Sequence, residues 1–268
     1  MWRKYRLVFQ LLSPLHVGAG RVGNLQRTRR YVPGKLLWAA LTARLTRNKG
    51  PAGGFDYVEM GKRVSEAFRF GYLYPALLSG SDYAVFHPWD PEFDYRFLGS
   101  YASTALTENN AGAENGSLHE TEFIRYHATP LTAGEVPRQV FLSGPLWVFG
   151  NGLDGWKEAL RRVSIGGERG YGWGRMILAD ATEGPAEEPR IRLSGKNGER
   201  RVLAHVTTDS TQGQLWGPIE PLLGWERNNE GGAPWRVSAP RFCFQPGSEA
   251  PKNSEFTIGE FGIWEKVP

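Results

Sequence analysis

Residues 153–180, "LDGWKEALRRVSIGGERGYGWGRMILAD", decide the fold, because they contain a helix, a glycine-rich loop and a strand in that order. Residues 153–163 have the pattern of a short amphipathic helix, which we expect Asp154 to cap. "RMILAD" at 175–180 predicts a strand, and "RQVFLSGPLWVF" at 138–149 predicts a strand pair or one bent strand. This half of the chain therefore indicates a strand, a helix and a second strand.

The N-terminal segment predicts a similar arrangement. Residues 4–12, "KYRLVFQLL", alternate as a half-buried strand does, and one side carries Tyr5, Leu7, Phe9 and Leu11. Residues 13–34 show no period and predict a loop. In residues 34–50 leucines recur every four positions, which predicts a helix, and residues 57–69 predict a weaker one. The order of elements predicts an α+β fold with a β-α-β-β-α-β core and long insertions.

The remaining segments are richer in turns. Loops inserted at about 75–135 include an exposed, disordered excursion at 107–118. After residue 180 we expect an acidic linker at 181–189, a strand at 200–208 and then short strands and turns. The predicted domains are a core at 1–180 and a β-rich C-terminal extension at 181–268 that packs on it.

Charge is distributed unevenly along the chain. The first 50 residues hold eleven lysines and arginines and no aspartate or glutamate, whereas the other 218 residues hold 21 basic and 28 acidic side chains. A basic block of this size indicates a polyanionic partner such as nucleic acid. A solvated basic face is the alternative.

Cysteine content and hydropathy limit the other classes of function. The chain contains one cysteine, Cys243, so an internal disulfide and a zinc site of several cysteines are excluded. No apolar segment reaches the length of a membrane span. We therefore expect a soluble, cytoplasmic protein with no membrane partner, small-molecule substrate, cofactor or metal ion.

The glycine loop has the composition of a site for single-stranded RNA. It lacks the end of a Walker motif, and it follows a helix instead of opening one as a Rossmann loop does. Its glycines let the backbone approach a bulky partner, arginines at 169 and 175 can pair with phosphates, and aromatic rings at 171 and 173 can stack on unpaired bases. The alternative is a hairpin whose two aromatic side chains enter the core.

The loop after the first strand has similar chemistry. Between Gly18 and Lys35 it carries basic residues with no acid beside them, and it leads into a helix whose first N–H groups favour a phosphate. We expect the two loops to form one groove. The predicted RNA-binding residues are His16, Gly18, Gly20, Arg21, Arg27, Arg29, Arg30, Lys35, Arg44, Gly166, Gly167, Arg169, Gly170, Tyr171, Gly172, Trp173, Gly174 and Arg175.

Few residues suggest catalysis. His16 follows the first strand and is the best-placed general base for deprotonating a 2′-hydroxyl, although a histidine there more often packs or contacts a phosphate. His119 with Glu120 and Glu122 does not have the HExxH spacing of zinc enzymes and is expected in a solvated loop. We expect no catalytic residue, unless the protein is a nuclease that uses His16.

Four segments together resemble the RAMP superfamily, the RNA-binding subunits of class 1 CRISPR effector complexes, especially type III-like ones. They are "LSPLHVGAG" (12–20), "YVPGKLLWAALTARL" (31–45), "IGGERGYGWGRM" (165–176) and "FQPGS" with "FTIGEFGIW" (244–248 and 256–264). The resemblance implies a ferredoxin-like, RRM-like core, guide RNA (crRNA) held by the two loops, and assembly with other CRISPR effector subunits into an antiviral ribonucleoprotein.

The resemblance leaves several roles open. Backbone subunits of type III complexes carry a target-cleaving aspartate in the loop after the first strand, whereas residues 18–33 contain no carboxylate. The processing endoribonucleases keep their glycine loop near the C-terminus, and here 94 residues follow Gly174. We favour a non-catalytic subunit that holds the 5′ handle of the guide RNA. The alternatives are a backbone subunit without target cleavage, a metal-independent endoribonuclease, and a protein-interaction scaffold.

Overall fold

The computed structural model of the protein describes residues 1–50, 56–108, 112–194, 200–211, 214–227 and 235–267. Within these ranges the chain forms two compact units, Met1–Glu188 and Pro189–Pro268. Residues 109–111 of the expected excursion lie outside the described residues. No helix in the described ranges is long and apolar enough to span a membrane.

The first unit contains thirteen strands and four helices among its described residues. The strands are β1 (Trp2–Leu11), β2 (Gly18–Val22), β3 (Leu25–Thr28), β4 (Phe68–Phe70), β5 (Tyr74–Ser79), β6 (Asp82–Val85), β7 (Leu98–Ser103), β8 (His119–Ile124), β9 (His127–Ala128), β10 (Arg138–Gln139), β11 (Phe141–Phe149), β12 (Arg162–Ser164) and β13 (Arg175–Ala186). The helices are α1 (Gly34–Asn48), α2 (Tyr57–Ala67), α3 (Phe93–Phe97) and α4 (Trp156–Arg161).

The main sheet of this unit has the strand order β12-β13-β1-β11-β5-β6, with β4 also paired to β11. All of its pairs are antiparallel. Helix α1 lies in the chain between β1 and β5, and α4 lies between β11 and β13. The four strands β13-β1-β11-β5 and these two helices have the connectivity of a ferredoxin-like core. The predicted α+β class is confirmed.

The core lies between the sheet and α1. The predicted inward side of β1 is buried, as is the leucine stripe of α1, and both belong to one apolar cluster. Alternation in the strand and a four-residue spacing in the helix bring these two apolar faces together. The residues concerned are Tyr5, Leu7, Phe9 and Leu11 on β1 and Leu37, Leu41 and Leu45 on α1.

Several boundaries differ from the predictions. The expected loop at 13–34 contains the hairpin β2–β3, which continues through β8 to β7 in a four-stranded sheet. Helix α4 begins at Trp156 with Gly155 as its N-cap and without a capping side-chain hydrogen bond, so the predicted cap at Asp154 is wrong. Strand β13 runs to Ala186 and occupies most of the predicted acidic linker.

The second unit consists of strands and short turns. Its strands are β14 (Arg190–Arg192), β15 (Val206–Thr207), β16 (Ile219–Leu222), β17 (Trp225–Arg227), β18 (Trp235–Val237), β19 (Arg241–Phe244), β20 (Glu255–Ile258) and β21 (Trp264–Lys266). Six of them form a sheet in the order β14-β20-β21-β15-β19-β16, while β17 pairs with β18. The strand predicted at 200–208 is reduced to β15 and an isolated bridge at Arg201.

Candidate nucleic-acid interface

Backbone hydrogen bonds join the loop after β1 to the glycine loop. The N–H of Gly174 donates to the carbonyl of Pro14 at 2.7 Å, and the N–H of Gly167 donates to the carbonyl of His16 at 2.9 Å. The hydroxyl of Ser13 accepts a further bond from the N–H of Arg175 at 3.0 Å. The bonded residues are 151 to 162 positions apart in the chain, and the two loops therefore lie side by side at the end of β1.

Two glycines are required where the loops meet. Gly166 has φ +81° and Gly174 has φ +72°, values that favour glycine. A Cβ atom at Gly166 would overlap the carbonyl oxygen of His16, and one at Gly174 would overlap that of Ile165. These glycines serve close backbone packing, because the space that a side chain would need is already filled.

The tip of the glycine loop is open. Residues Arg169–Tyr171 form a short 3₁₀ turn, and a Cβ atom at Gly170 or Gly172 would meet nothing within 4 Å. Tyr171 is 83% exposed, which excludes the alternative that its ring enters the core. This part of the loop can approach a ligand through its backbone and present a ring to it.

Trp173 has a different environment from Tyr171. Its indole is half-buried and meets the ring of Phe123 edge to face, with centroids 5.1 Å apart. The side chains of Arg169 and Arg175 are exposed, and neither makes an ion pair with any residue that the structure describes. The loop thus offers two cationic groups, one exposed ring and one half-buried ring.

His16 lies beneath the glycine loop and is only 6% exposed. Its Nδ1 lies 2.8 Å from the backbone oxygen of Glu122, so Nδ1 carries the proton that forms this bond. A Cβ atom at Gly167 would lie 2.9 Å from Cδ2 of the imidazole, and one at Gly18 would lie 3.9 Å from Nε2. The ring therefore supports the seam between the two loops.

The arginines of the first loop are not free of acids, contrary to the sequence-based expectation. Arg30 donates from Nε and Nη2 to the two carboxylate oxygens of Asp94, each at 2.6 Å. Arg27 Nε lies 3.7 Å from Glu122 Oε2. Both carboxylates come from segments far along the chain, which is why the local sequence did not reveal them.

Three other predicted arginines donate hydrogen bonds to backbone carbonyls or to a side-chain hydroxyl. Arg21 donates to the carbonyl of Gly23 at 2.7 Å, and Arg29 donates to the hydroxyl of Tyr31 at 3.1 Å. Arg44 on α1 donates to the carbonyl of Arg162 at 2.8 Å, so it ties the helix to β12.

Two other predicted RNA-binding residues, Lys35 and Gly20, lie in the first turn of α1 and in the hairpin β2–β3. Lys35 lies in the first turn of α1, which contains no acidic residue, and the N-cap residue Pro33 makes no side-chain capping bond. Gly20 in β2 has φ +121° and open space around it.

Glu122 and Phe123 were not among the residues predicted from sequence. Besides its bond to His16, Glu122 accepts from the backbone N–H of Thr28 at 3.1 Å through its carboxylate. Phe123 supports Trp173. The β-branched and aromatic residues Thr121, Phe123 and Ile124, which favour strands, are the signal that could have identified β8 at this site.

A metal site at His119 is not supported by the strand geometry. His119, Glu120 and Glu122 lie in β8 and not in the expected loop, so alternation directs the histidine away from the two carboxylates. Among the described residues no three His, Cys, Asp or Glu side chains are grouped so that they could hold a metal ion.

Comparisons with known proteins gave structural similarities only. No protein-family model matches the chain, and no curated protein matches it. The fold is similar to a chain in the cryo-EM structure of the Type III-B Cmr-beta bound to cognate target RNA and AMPPnP, with 12% identity, a TM-score of 0.52 and coverage of 91% of this chain and 85% of that one.

Two further similarities are weaker. A chain of the Type III-B Cmr-beta bound to cognate target RNA has 10% identity and a TM-score of 0.48, with 91% of this chain and 86% of that chain covered. A chain of its apo state has 11% identity and a TM-score of 0.41, with 65% and 96% covered. At these identities the comparison with the higher TM-score establishes a shared fold.

Proposed function

We propose that this protein is a non-catalytic guide-RNA (crRNA) binding subunit of a class 1, type III-like CRISPR effector ribonucleoprotein in the cytoplasm, and that it holds the 5′ handle of the guide. The observation that carries the proposal is the bonded pair of loops at the end of β1. The backbone bonds of Gly174 and Gly167 hold the glycine loop against the first loop.

The chemistry of these loops suits single-stranded RNA. Exposed guanidinium groups at Arg169 and Arg175 can pair with phosphates, and the exposed ring of Tyr171 can stack on an unpaired base. The open backbone around Gly170 allows a sugar-phosphate chain to approach closely. Single-stranded ends and loops, whose bases are unstacked, are what proteins of this chemistry recognise.

Two independent similarities support the assembly that we propose. The sequence resembles RAMP subunits at both loops and near its C-terminus, and the fold is similar to that of a chain in an RNA-bound Type III-B Cmr-beta structure. A fixed RNA end suits a subunit whose two loops are joined by backbone hydrogen bonds. Other effector subunits are the protein partners under this proposal.

The non-catalytic role is supported by two features of the first loop. Residues 18–33 contain no carboxylate that could act on target RNA. The His16 ring is buried under the glycine loop and held by the Glu122 carbonyl, an arrangement that suits support of the loops better than proton transfer to a substrate. A nuclease that uses His16 is the alternative that the experiment must exclude.

The test is co-expression of the protein with its neighbouring genes, purification, and sequencing of both ends of the RNA that co-purifies. We expect short RNAs that share one repeat-derived 5′ end, and no cleavage when the isolated protein is incubated with precursor RNA. Cleavage that a His16→Ala substitution abolishes would show a processing nuclease. A preparation that contains no RNA would contradict the proposed function altogether.

A further inference from the structure

The four-stranded sheet β2-β3-β8-β7 has two chemically different faces. Alternation along β8 places Glu120 and Glu122 on one face and Thr121 and Phe123 on the other. The two glutamates are the only acidic residues in these four strands. The face that carries Phe123 therefore has no carboxylate from the sheet, and we call it the aromatic face.

A second ring, that of Tyr101, lies on the aromatic face and is exposed. Tyr101 on β7 pairs with Thr121, and Gly99 pairs with Phe123, so both rings project from the same side. Gly99 makes room for the neighbouring ring, because a Cβ atom there would lie 2.8 Å from Cε2 of Phe123. Tyr101 itself is 61% exposed.

The aromatic face is continuous with the glycine loop. Trp173 of that loop meets Phe123 edge to face at 5.1 Å. Tyr101 is the diagonal cross-strand neighbour of Phe123, and such neighbours lie about 7 to 8 Å apart. The three rings form a row that leads from the glycine loop onto the sheet.

Positive charge accompanies this row of rings. Arg21 is paired with Gln26 on β3, and Gln26 is paired with Thr121, so the exposed Arg21 side chain belongs to the aromatic face. Arg125 follows β8, and its guanidinium carbon would lie 3.0 Å from a Cβ atom at Gly99. Aromatic rings beside cations on a surface without carboxylates are the features that bind single-stranded nucleic acid.

We propose that the aromatic face extends the RNA path, with Tyr101 and Phe123 stacking on unpaired bases next to those held by the glycine loop, and Arg21 pairing with a phosphate. This inference rests on the proposed function and adds the direction in which the RNA leaves the loop. A protein docked on the same face is the competing occupant. The absence of sheet carboxylates beside Arg21 favours the polyanion.

The experiment compares four proteins in binding an unstructured RNA of about 12 nucleotides, a length within the range of single-stranded sites. They are the unmodified protein, Tyr101→Ala, Tyr101→Phe and the control Phe149→Ala. Phe149 is 52% exposed and lies at the far end of β11, opposite Trp2, roughly 30 Å from the loops by the length of β1. A thermal melt of each variant checks the fold.

We expect Tyr101→Ala to bind about 5- to 150-fold more weakly, the range of one lost base stack, with an unchanged dependence on salt. Tyr101→Phe keeps the ring and retains affinity, as does Phe149→Ala. Photo-crosslinking of 5-iodouridine RNA should label a peptide within residues 98–124.

Three outcomes overturn the inference in distinguishable ways. If the unmodified protein binds RNA and Tyr101→Ala binds equally well without crosslinks at 98–124, the RNA takes another path and the proposed function stands. If Tyr101→Ala loses a co-purifying subunit but not RNA, the face binds protein. If the unmodified protein binds no RNA, the proposed function fails together with the inference.

Discussion

The backbone N–H of Gly174 donates a hydrogen bond to the carbonyl oxygen of Pro14 at 2.7 Å, although the two residues are 160 positions apart. Ile165 in turn donates its N–H to the carbonyl of Gly174 at 3.0 Å. The carbonyl of Gly174 thus bonds the two ends of the glycine loop to each other, and its N–H bonds that loop to the first loop.

Substituting Gly174 with alanine should destabilise the protein. The new Cβ atom would overlap the Ile165 carbonyl at a φ of +72°, so we expect a loss of at least about 2 kcal/mol in unfolding free energy, measured by urea denaturation. Gly170→Ala is the matched control in the same loop, because nothing lies within 4 Å of its Cβ position. Equal stability of the two variants would refute the packing role of Gly174.

The guanidinium groups of the glycine loop should control the salt dependence of RNA binding. Each lost phosphate contact lowers the slope of log K against log salt by about 0.7 for a single strand. We expect that change for Arg169→Gln and for Arg175→Gln, measured by fluorescence anisotropy over a salt titration. Arg190→Gln, which removes a cation paired with Glu255 in the second unit, is the control and should leave the slope unchanged. Unchanged slopes for both loop variants would remove them from the interface.

The main sheet and its helices could be predicted because each element has a periodic spacing of apolar residues within its own short segment. The alternation of β1 and the leucine spacing of α1 both arise from burying one side of an element, and burial leaves a period in the sequence. The hairpin β2–β3 leaves no such period, because all five residues of β2 are exposed. A strand without a buried side can be recognised only from its pairing partners.

The sequence predicts many of the residues of the candidate site, but it does not predict which residues contact one another there. The sequence identified Arg30 as a cation beside the first loop, but Asp94, which binds it, is 64 residues away in α3. Glu122 and Phe123 were missed for a similar reason. Their roles depend on a parallel pairing of β8 with β3, which no local pattern encodes.

The thiol of Cys243 should be unreactive in the folded protein. Burial raises its pKa to about 11, so the reactive thiolate is scarce at pH 8. Labelling with a thiol-specific reagent should be slow in buffer and complete within minutes in guanidinium chloride. Because the chain has one cysteine, the signal reports this residue alone. Rapid labelling without denaturant would show that β19 opens readily.

The hydrogen bond from Tyr5 to Glu183 should make stability depend on pH. The Tyr5 hydroxyl donates to the carboxylate at 2.6 Å, which lowers the pKa of Glu183 below its ordinary value of 4.5. A lowered carboxyl pKa contributes stability above that ordinary value, and the contribution is lost as pH falls through the folded pKa. We expect Tyr5→Phe to have a lower urea midpoint than the unmodified protein at pH 7, and the two midpoints to converge as the pH falls through the lowered pKa of Glu183. A difference that persists at low pH would indicate lost packing instead.

Asp94 should compete with RNA for Arg30. The carboxylate holds the guanidinium through two hydrogen bonds of 2.6 Å, and the bond to Asp94 raises the pKa of Arg30. Asp94→Asn weakens this hold. We expect a stability loss of less than about 1 kcal/mol, because the pair is partly exposed. RNA affinity should rise several-fold, and the salt slope should increase by up to about 0.7 because one more phosphate can be neutralised.

The control for Asp94→Asn is Glu255→Gln, which releases Arg190 from a looser exposed pair of 3.5 Å in the second unit and should leave RNA binding unchanged. Both variants are measured by anisotropy with the same RNA at several salt concentrations. If Asp94→Asn weakens RNA binding, the ion pair positions the first loop, and Arg30 acts through that fixed geometry without reaching the phosphate. An unchanged affinity would place Arg30 outside the RNA path. Asp94→Asn frees the Arg30 guanidinium, and a freed guanidinium next to the RNA would change the number of phosphates that the protein neutralises.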